Sequence, residues 1–138
     1  NAGVDLSNAP GQDVAVLLPL DPDASARRLR EALAAPGLPG PAVIVSDTFG
    51  RPFREGLVDV ALGCAGLAPI DDRRGSRDLS GRALQVTAMA TADQLAAAAG
   101  LLMVKDAGLP AVFVEGFEAP GEGDARPLLR PRDRDLFR

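Results

Sequence analysis

A carboxylate, a hydroxyl and two guanidinium groups crowd together in Ser46-Asp47-Thr48-Phe49-Gly50-Arg51-Pro52-Phe53-Arg54-Glu55-Gly56. They directly follow the apolar, β-branched run Ala42-Val43-Ile44-Val45. A buried strand that stops at Asp47 carries this cluster to a sheet edge, where hard cations and phosphates are commonly handled. Asp47 and Thr48 suit Mg²⁺ or Mn²⁺, which prefer oxygen ligands and keep positions for phosphate oxygens and water. Arg51 and Arg54 suit a phosphate or carboxylate, with Gly50 and Gly56 permitting close backbone approach. The same residues also fit a plainer role, Asp47 and Thr48 capping a helix or closing an Asx turn and the arginines pairing with Asp59, Asp71 or Asp72. Spacing alone leaves both open.

A second oxygen-rich stretch, Gly3-Val4-Asp5-Leu6-Ser7-Asn8, offers Asp5 as a ligand and Asn8 as a directional donor and acceptor in a glycine-bearing turn. Asp71-Asp72-Arg73-Arg74-Gly75-Ser76-Arg77-Asp78 reads as a charge-rich loop, able to close over a substrate but more usually a solvated connection. Lys105, the one lysine, lacks the preceding glycine pattern of a P-loop, and no Gly-x-Gly-x-x-Gly fingerprint occurs.

The composition narrows the chemistry further. No histidine exists among the 138 residues, which excludes a Ser-His-Asp triad and histidine-ligated zinc. Cys64, the single cysteine, has no partner for an internal disulfide, fits a reducing cytoplasm, and in its apolar context reads as a small core residue rather than a nucleophile. A net charge of −4 argues against a general binder of nucleic acid or of anionic membranes. The longest apolar run, residues 95–104, is too short to span a bilayer. With 46% hydrophobic and 25% charged residues, one soluble globular domain is expected.

The elements that must position these groups follow from local signals. Val14 to Leu18 reads as a strand closed by Pro19, and Asp21-Pro22-Asp23 supplies an N-cap, a first-turn proline and an early acid for a helix whose apolar positions are Ala26, Leu29 and Leu33. A strand over Ala42 to Val45 leads to Asp47; Val58, Val60 and Leu62 alternate as a second, and Ala83 to Val86 can resume the sheet. A helix is expected over Ala88 to Met103, its start open by about a turn because Thr91-Ala92-Asp93-Gln94 reads equally as a capping box or as helix already under way, and a last strand over Ala111 to Val114. Interleaved strands and helices predict an α+β fold with a mixed sheet and packed helices, without repeats or an obvious second domain.

Three motifs in register carry a resemblance. Asn1-Ala2-Gly3-Val4-Asp5-Leu6-Ser7-Asn8, Leu17-Leu18-Pro19-Leu20-Asp21-Pro22-Asp23-Ala24-Ser25-Ala26 and Ser46-Asp47-Thr48-Phe49-Gly50-Arg51-Pro52-Phe53-Arg54 stand in the order seen in the coenzyme F420-0:γ-glutamyl ligase family. The likeness continues through Ala61-Leu62-Gly63-Cys64-Ala65-Gly66-Leu67, Asp78-Leu79-Ser80-Gly81-Arg82, Ala90-Thr91-Ala92-Asp93-Gln94-Leu95-Ala96 and Asp135-Leu136-Phe137. The ending resembles the actinobacterial form, in which a flavin-binding, nitroreductase-like domain follows the ligase domain. The chain opens at Asn1 inside a motif, so residues 1–138 are expected to be the later portion of the ligase domain, its N-terminal part, with a lysine-bearing loop of the GTP site, lying upstream.

The resemblance implies a cytoplasmic, homodimeric enzyme that uses GTP to join L-glutamate to coenzyme F420-0 through an acyl phosphate and then extends a γ-linked tail. It implies Mg²⁺ or Mn²⁺ at two sites and K⁺ as an accompanying cation. By position, Asp5 and Asp47 look like ligands of one divalent ion, Thr48 of the second, Asn8 a GTP contact, and Met103-Val104-Lys105-Asp106-Ala107-Gly108-Leu109 a nucleotide-contacting turn. Arg51 and Arg54 are assigned to substrate from their charge and placement. Turnover is expected of the complete polypeptide rather than of residues 1–138 alone. A degenerate, non-catalytic homologue serving as a binding or assembly domain is the alternative; a generic metal-dependent phosphohydrolase explains the aspartates but not the ordered motifs.

Overall fold

The computed structural model describes residues 4–5, 11, 13–37 and 40–135, with the backbone alone for 4–5. In chain order the elements are β1 (Val4–Asp5), β2 (Val16–Leu17), α1 (Pro22–Ala32), β3 (Val43–Arg51), β4 (Arg54–Ala65), β5 (Asp71–Asp72), β6 (Ala88–Met89) and α2 (Thr91–Gly100). Short 3₁₀ turns follow at Arg126–Leu128 and Arg132–Arg134. This is an α+β single domain built on three antiparallel pairs, β1–β2, β3–β4 and β5–β6.

α1 begins where the sequence places it, because three local devices agree. Asp21 Oδ1 accepts the N–H of Ala24 at 2.8 Å, Pro22 has no N–H to satisfy, and Asp23 adds negative charge to the first turn. Ala26 is fully buried on its inner face.

The long hairpin β3–β4 is the scaffold on which both helices pack. Its register runs Val43↔Ala65, Ile44↔Cys64, Val45↔Gly63 and then Ser46↔Ala61, so Leu62 is an extra residue and β4 carries a bulge. Gly63 lies against the backbone of Pro22 and Asp23, whereas Cys64 joins Ala92 and Leu95 of α2 in the core cluster. Neighbouring residues of a strand point to opposite faces, so α1 and α2 cover opposite sides of the hairpin. Glycine is required at Gly63 because a Cβ would drive into the first turn of α1.

The buried core is small-grained: Ala26, Cys64, Ala65, Leu67, Ala92, Ala96 and Ala125. Meanwhile Phe49, Phe53, Leu57, Leu101 and Phe113 are exposed. The accessible surface of 10795 Å² far exceeds the about 6,800 Å² of a compact monomer of this mass. These residues leave much apolar surface in water.

Four local expectations change. β3 does not end at Asp47; it continues through Arg51, because β4 supplies a partner ladder out to Arg54. The helix expected over residues 88–103 occupies Thr91–Gly100, and the capping box does not form: Ala90 is the N-cap, Thr91 Oγ1 donates back to the carbonyl of Met89, and no side chain caps the turn. Residues 111–114 run as irregular chain with Phe113 77% exposed, since among the described residues no strand pairs with them. Residues 83–86 pair not with the main hairpin but inside an arm.

That arm spans residues 71–89 and replaces the expected loop. Beyond β5–β6 its rungs continue from Arg73 N–H to Thr87 O, Gly75 N–H to Leu84 O and Asp78 N–H to Arg82 O, with Arg77 bridging Ala83. Asp78 Oδ1 accepts the N–H groups of Ser80 and Arg82, each at 2.8 Å, which closes the tip. At the base Arg73 pairs with Asp71 and Arg74 with Asp72, and hydrogen bonds from Arg74 hold the Asp72 carboxyl down at about 2.

Candidate functional site

From Ser46 to Gly50 the register runs unbroken against Ala61 to Leu57. Ala61 packs into the cluster beneath α2, so Ser46, Thr48 and Asp59 share that face. Asp59 confirms the placement, since a Cβ on Gly100, the last residue of α2, would lie 2.6 Å from its Oδ2. Asp47 and Val60 point to the other face, the one α1 covers nearer the base of the hairpin. Thus Asp47 and Thr48 are consecutive but oppositely directed. The half-buried Asp47 turns one oxygen along the strand, where Oδ1 accepts the N–H of Thr48 at 2.8 Å; the Thr48 side chain is exposed.

The two arginines flank the tip. Arg51 opposes Arg54 across the two-residue turn Pro52-Phe53, and Phe53 sits at φ +59°, the sign that a type II turn demands at its second central residue. Arg51 Nη2 donates to the carbonyl of Glu55 at 2.7 Å, bracing the turn, while its buried Nε has no hydrogen-bond acceptor among the described residues. Arg54 is exposed. The pair Arg51 and Arg54 is therefore brought together, at the end of the strand that carries Asp47.

The other expected groups are not gathered by the described residues. Asp5 lies in a two-residue strand rather than a turn, opposite Val16, and β1–β2 shares no ladder with the hairpin; its side chain and all of Asn8 lie outside the described residues. Residues 103–109 do form a turn after α2: Met103 N–H bonds to Ala99 O, Ala107 N–H to Val104 O, and Gly108 takes φ +64°. Met103 is half-buried, whereas Val104, Lys105, Asp106, Ala107, Gly108 and Leu109 are exposed. Leu136 and Phe137 of the closing motif also lie outside the described residues.

In kind, the donors suit a hard divalent cation: carboxylate and hydroxyl oxygens with no imidazole or accessible thiolate. In number they are incomplete, because among the described residues no three His, Cys, Asp or Glu side chains converge. Asp47 offers one carboxylate, with Oδ2 not engaged by Thr48.

Cys64 takes no part in such chemistry. It forms the floor of a cleft of about 320 Å³ between α1 and residues 122–124, which holds none of the expected site residues. Burial, then the charges of Asp23 and Asp124, push its thiol up to about 11. Over the same cleft Arg30 crosses Gly66 to reach Glu122 with two bonds of 3.0 and 3.3 Å, a structural clamp.

Two carboxylates that local sequence signals did not single out for such roles hold the layers together. Asp23 Oδ1 accepts the N–H groups of Cys64 and Ala125, each at 2.9 Å, and Asp93 Oδ1 accepts that of Ala61 at 2.9 Å. In sequence each carried only the signal of an acidic residue in a first helical turn. Among the described residues no helix is long and apolar enough to cross a membrane.

Fold and donor set together define a small α+β domain whose reactive side chains are oxygen donors and guanidinium groups. Comparison with known proteins resolves the class to a family. The sequence profile described as F420-0:Gamma-glutamyl ligase matches residues 1–116, and the chain belongs to that family. It is 51% identical over 142 residues to a protein named Coenzyme F420:L-glutamate ligase from Methanothermobacter thermautotrophicus, covering 100% of this chain and 56% of the relative. Proteins of the same name from Methanopyrus kandleri and Methanocaldococcus jannaschii are 49% and 41% identical, with 57% and 55% of their lengths covered. The chain thus spans about half the length of the relatives it matches.

Proposed function

We propose that these residues are the later portion of a GTP- and divalent-metal-dependent ligase that joins L-glutamate to coenzyme F420-0 and then extends a γ-linked tail. The observation that carries this reading is identity of 41–51% along the whole chain with proteins named Coenzyme F420:L-glutamate ligase. The large accessible surface and small-grained core support a portion that completes its packing against further polypeptide.

In this reading a carboxylate oxygen of the acceptor attacks the γ-phosphorus of GTP, an O–P bond forms, and the bond to GDP breaks. The glutamate amine then attacks the acyl carbon of that phosphate anhydride; a C–N bond forms, phosphate leaves, and the amine proton passes to solvent. Little covalent work falls to the protein, which aligns the groups and neutralises charge. A bound divalent cation supplies that neutralisation on the phosphates. Asp47, with Asp5, would hold one such ion and Thr48 a second, with Mg²⁺ or Mn²⁺ as the metal and K⁺ as a further cation. Arg51 and Arg54 bind the anionic substrate from the hairpin tip, and Asn8 with residues 103–109 contacts the nucleotide. The complete enzyme acts as a cytoplasmic homodimer.

The second reading is a non-catalytic homologue serving in binding or assembly. Incubating the complete polypeptide with coenzyme F420-0, L-glutamate and Mn²⁺, with GTP or ATP, separates the two. Glutamylated product with GTP supports the ligase; no product and no saturable GTP binding supports the second reading.

A further inference from the structure

An open groove of about 700 Å³ runs beside the C-terminal segment, walled by Arg126, Arg130, Arg132 and Arg134 with Pro127 and Pro131. All four arginines are exposed, and among the described residues none of them forms an ion pair or a side-chain hydrogen bond. The carboxylate on the wall, Asp124, is turned to the backbone, where its Oδ1 accepts the N–H of Arg126 at 3.0 Å. Such a concentration of uncompensated positive charge runs against the chain's net charge of −4. The segment is braced: Leu129 N–H bonds to Arg126 O and Arg134 N–H to Pro131 O, each at 3.0 Å, while Leu128 packs against the core cluster. The prolines fix φ at two further positions, and a backbone already in place lowers the ordering cost of binding. The groove lies beyond residues 1–116, which the family profile matches.

A guanidinium fork matches a carboxylate or a phosphate, and four of them along one groove suit a row of anions rather than a single one. No aromatic side chain lines the groove to stack a base, and the net charge opposes nucleic acid, so a row of carboxylates is favoured. We propose that this groove holds the γ-glutamyl tail as it grows. Each γ-linked unit keeps its α-carboxylate free, which makes the tail a chain of repeated carboxylates. The proposal rests on the reading of the protein as a ligase that extends such a tail. Position agrees with it: Ala125, at the root of the segment, shares Asp23 Oδ1 with Cys64, and Ile44 opposite Cys64 stands about 10 Å along β3 from Asp47. The groove therefore opens near the base of the hairpin that carries Asp47. Its arginines hold units already added and touch no reacting atom.

The test uses the complete polypeptide, a groove variant carrying Arg130→Gln with Arg132→Gln, and a charge-matched control carrying Arg28→Gln with Arg82→Gln, each first shown folded by its melt. Titration with tetra-γ-L-glutamate and, separately, with a short single-stranded oligodeoxynucleotide gives the affinities; mass spectrometry of the product gives tail lengths. The groove variant should weaken the peptide's Kd by about 10-fold, as for two exposed charge pairs lost, and the control should match wild type. The groove variant should add the first glutamate at the wild-type rate yet yield shorter tails. An unchanged Kd or unchanged tail lengths in the groove variant beside an active wild type overturns the groove alone, as does equal weakening in the control. An oligonucleotide that binds wild type more tightly than the peptide, and is lost with the groove, overturns the carboxylate tail as occupant. No glutamylated product from wild type with GTP overturns the ligase reading, and the tail with it.

Discussion

Asp23 reaches from the first turn of α1 to β4, where its Oδ1 accepts the N–H of Cys64 at 2.9 Å, and the same oxygen takes the N–H of Ala125 at 2.9 Å. One carboxylate thus joins helix, hairpin and the C-terminal segment. Asp23→Ala leaves two partly buried donors without an acceptor and should destabilise the fold by about 2–6 kcal/mol, at about 1–3 kcal/mol for each orphaned group. Urea unfolding checks this; a midpoint unchanged from wild type contradicts it.

The contact of Gly63 with α1 gives a sharper contrast. Gly63→Ala places a Cβ inside the Pro22–Asp23 backbone and should cost about 1–3 kcal/mol as overpacking. Gly50→Ala, with nothing within 4 Å, should be neutral or stabilising by up to about 1 kcal/mol. Thermal melts of the two variants rank them directly.

At the hairpin tip Phe53 is 95% exposed and held at φ +59°, a region that glycine occupies freely and phenylalanine does not. Phe53→Gly should therefore raise stability by about 1 kcal/mol through relief of backbone strain. Equilibrium denaturation checks the sign, and a loss of stability would show that the ring contributes more than the strain.

Cys64 provides a pH signature. Its thiol titrates at about 11 in the fold against an ordinary 9.0, chiefly because burial disfavours the thiolate. Between those values the unfolded chain binds fewer protons than the folded one, so stability is full below pH 9 and falls as pH rises toward 11. Unfolding measured from pH 8 to 11 should show this decline, and Cys64→Ala should flatten it. Iodoacetamide at pH 9 should label the folded protein slowly and the urea-unfolded protein fast.

How much of this was legible in sequence depended on whether the deciding contact was local. α1 was, because Asp21, Pro22 and Asp23 act within one turn. The extent of β3 was not: Thr48 to Arg51 look like a loop until β4 lies beside them. The start of α2 misled because Asp93 turns its carboxylate to Ala61, 32 residues away, and Thr91 bonds backwards to Met89. At the candidate site, the gathering of Asp47, Thr48, Arg51 and Arg54 toward one end of a strand was legible, and so was a turn at residues 103–109. The opposed directions of Asp47 and Thr48 were not, since they follow from a strand that continues past Asp47.

The most direct measurement is L-glutamate incorporation into coenzyme F420-0 by the complete polypeptide, comparing wild type with Asp47→Ala at saturating GTP and Mn²⁺, each first shown folded by its melt. GTP-dependent product is expected from wild type, with a loss of at least about 100-fold in Asp47→Ala, as for removal of a group that stabilises transition-state charge. Equal turnover by folded Asp47→Ala would contradict it.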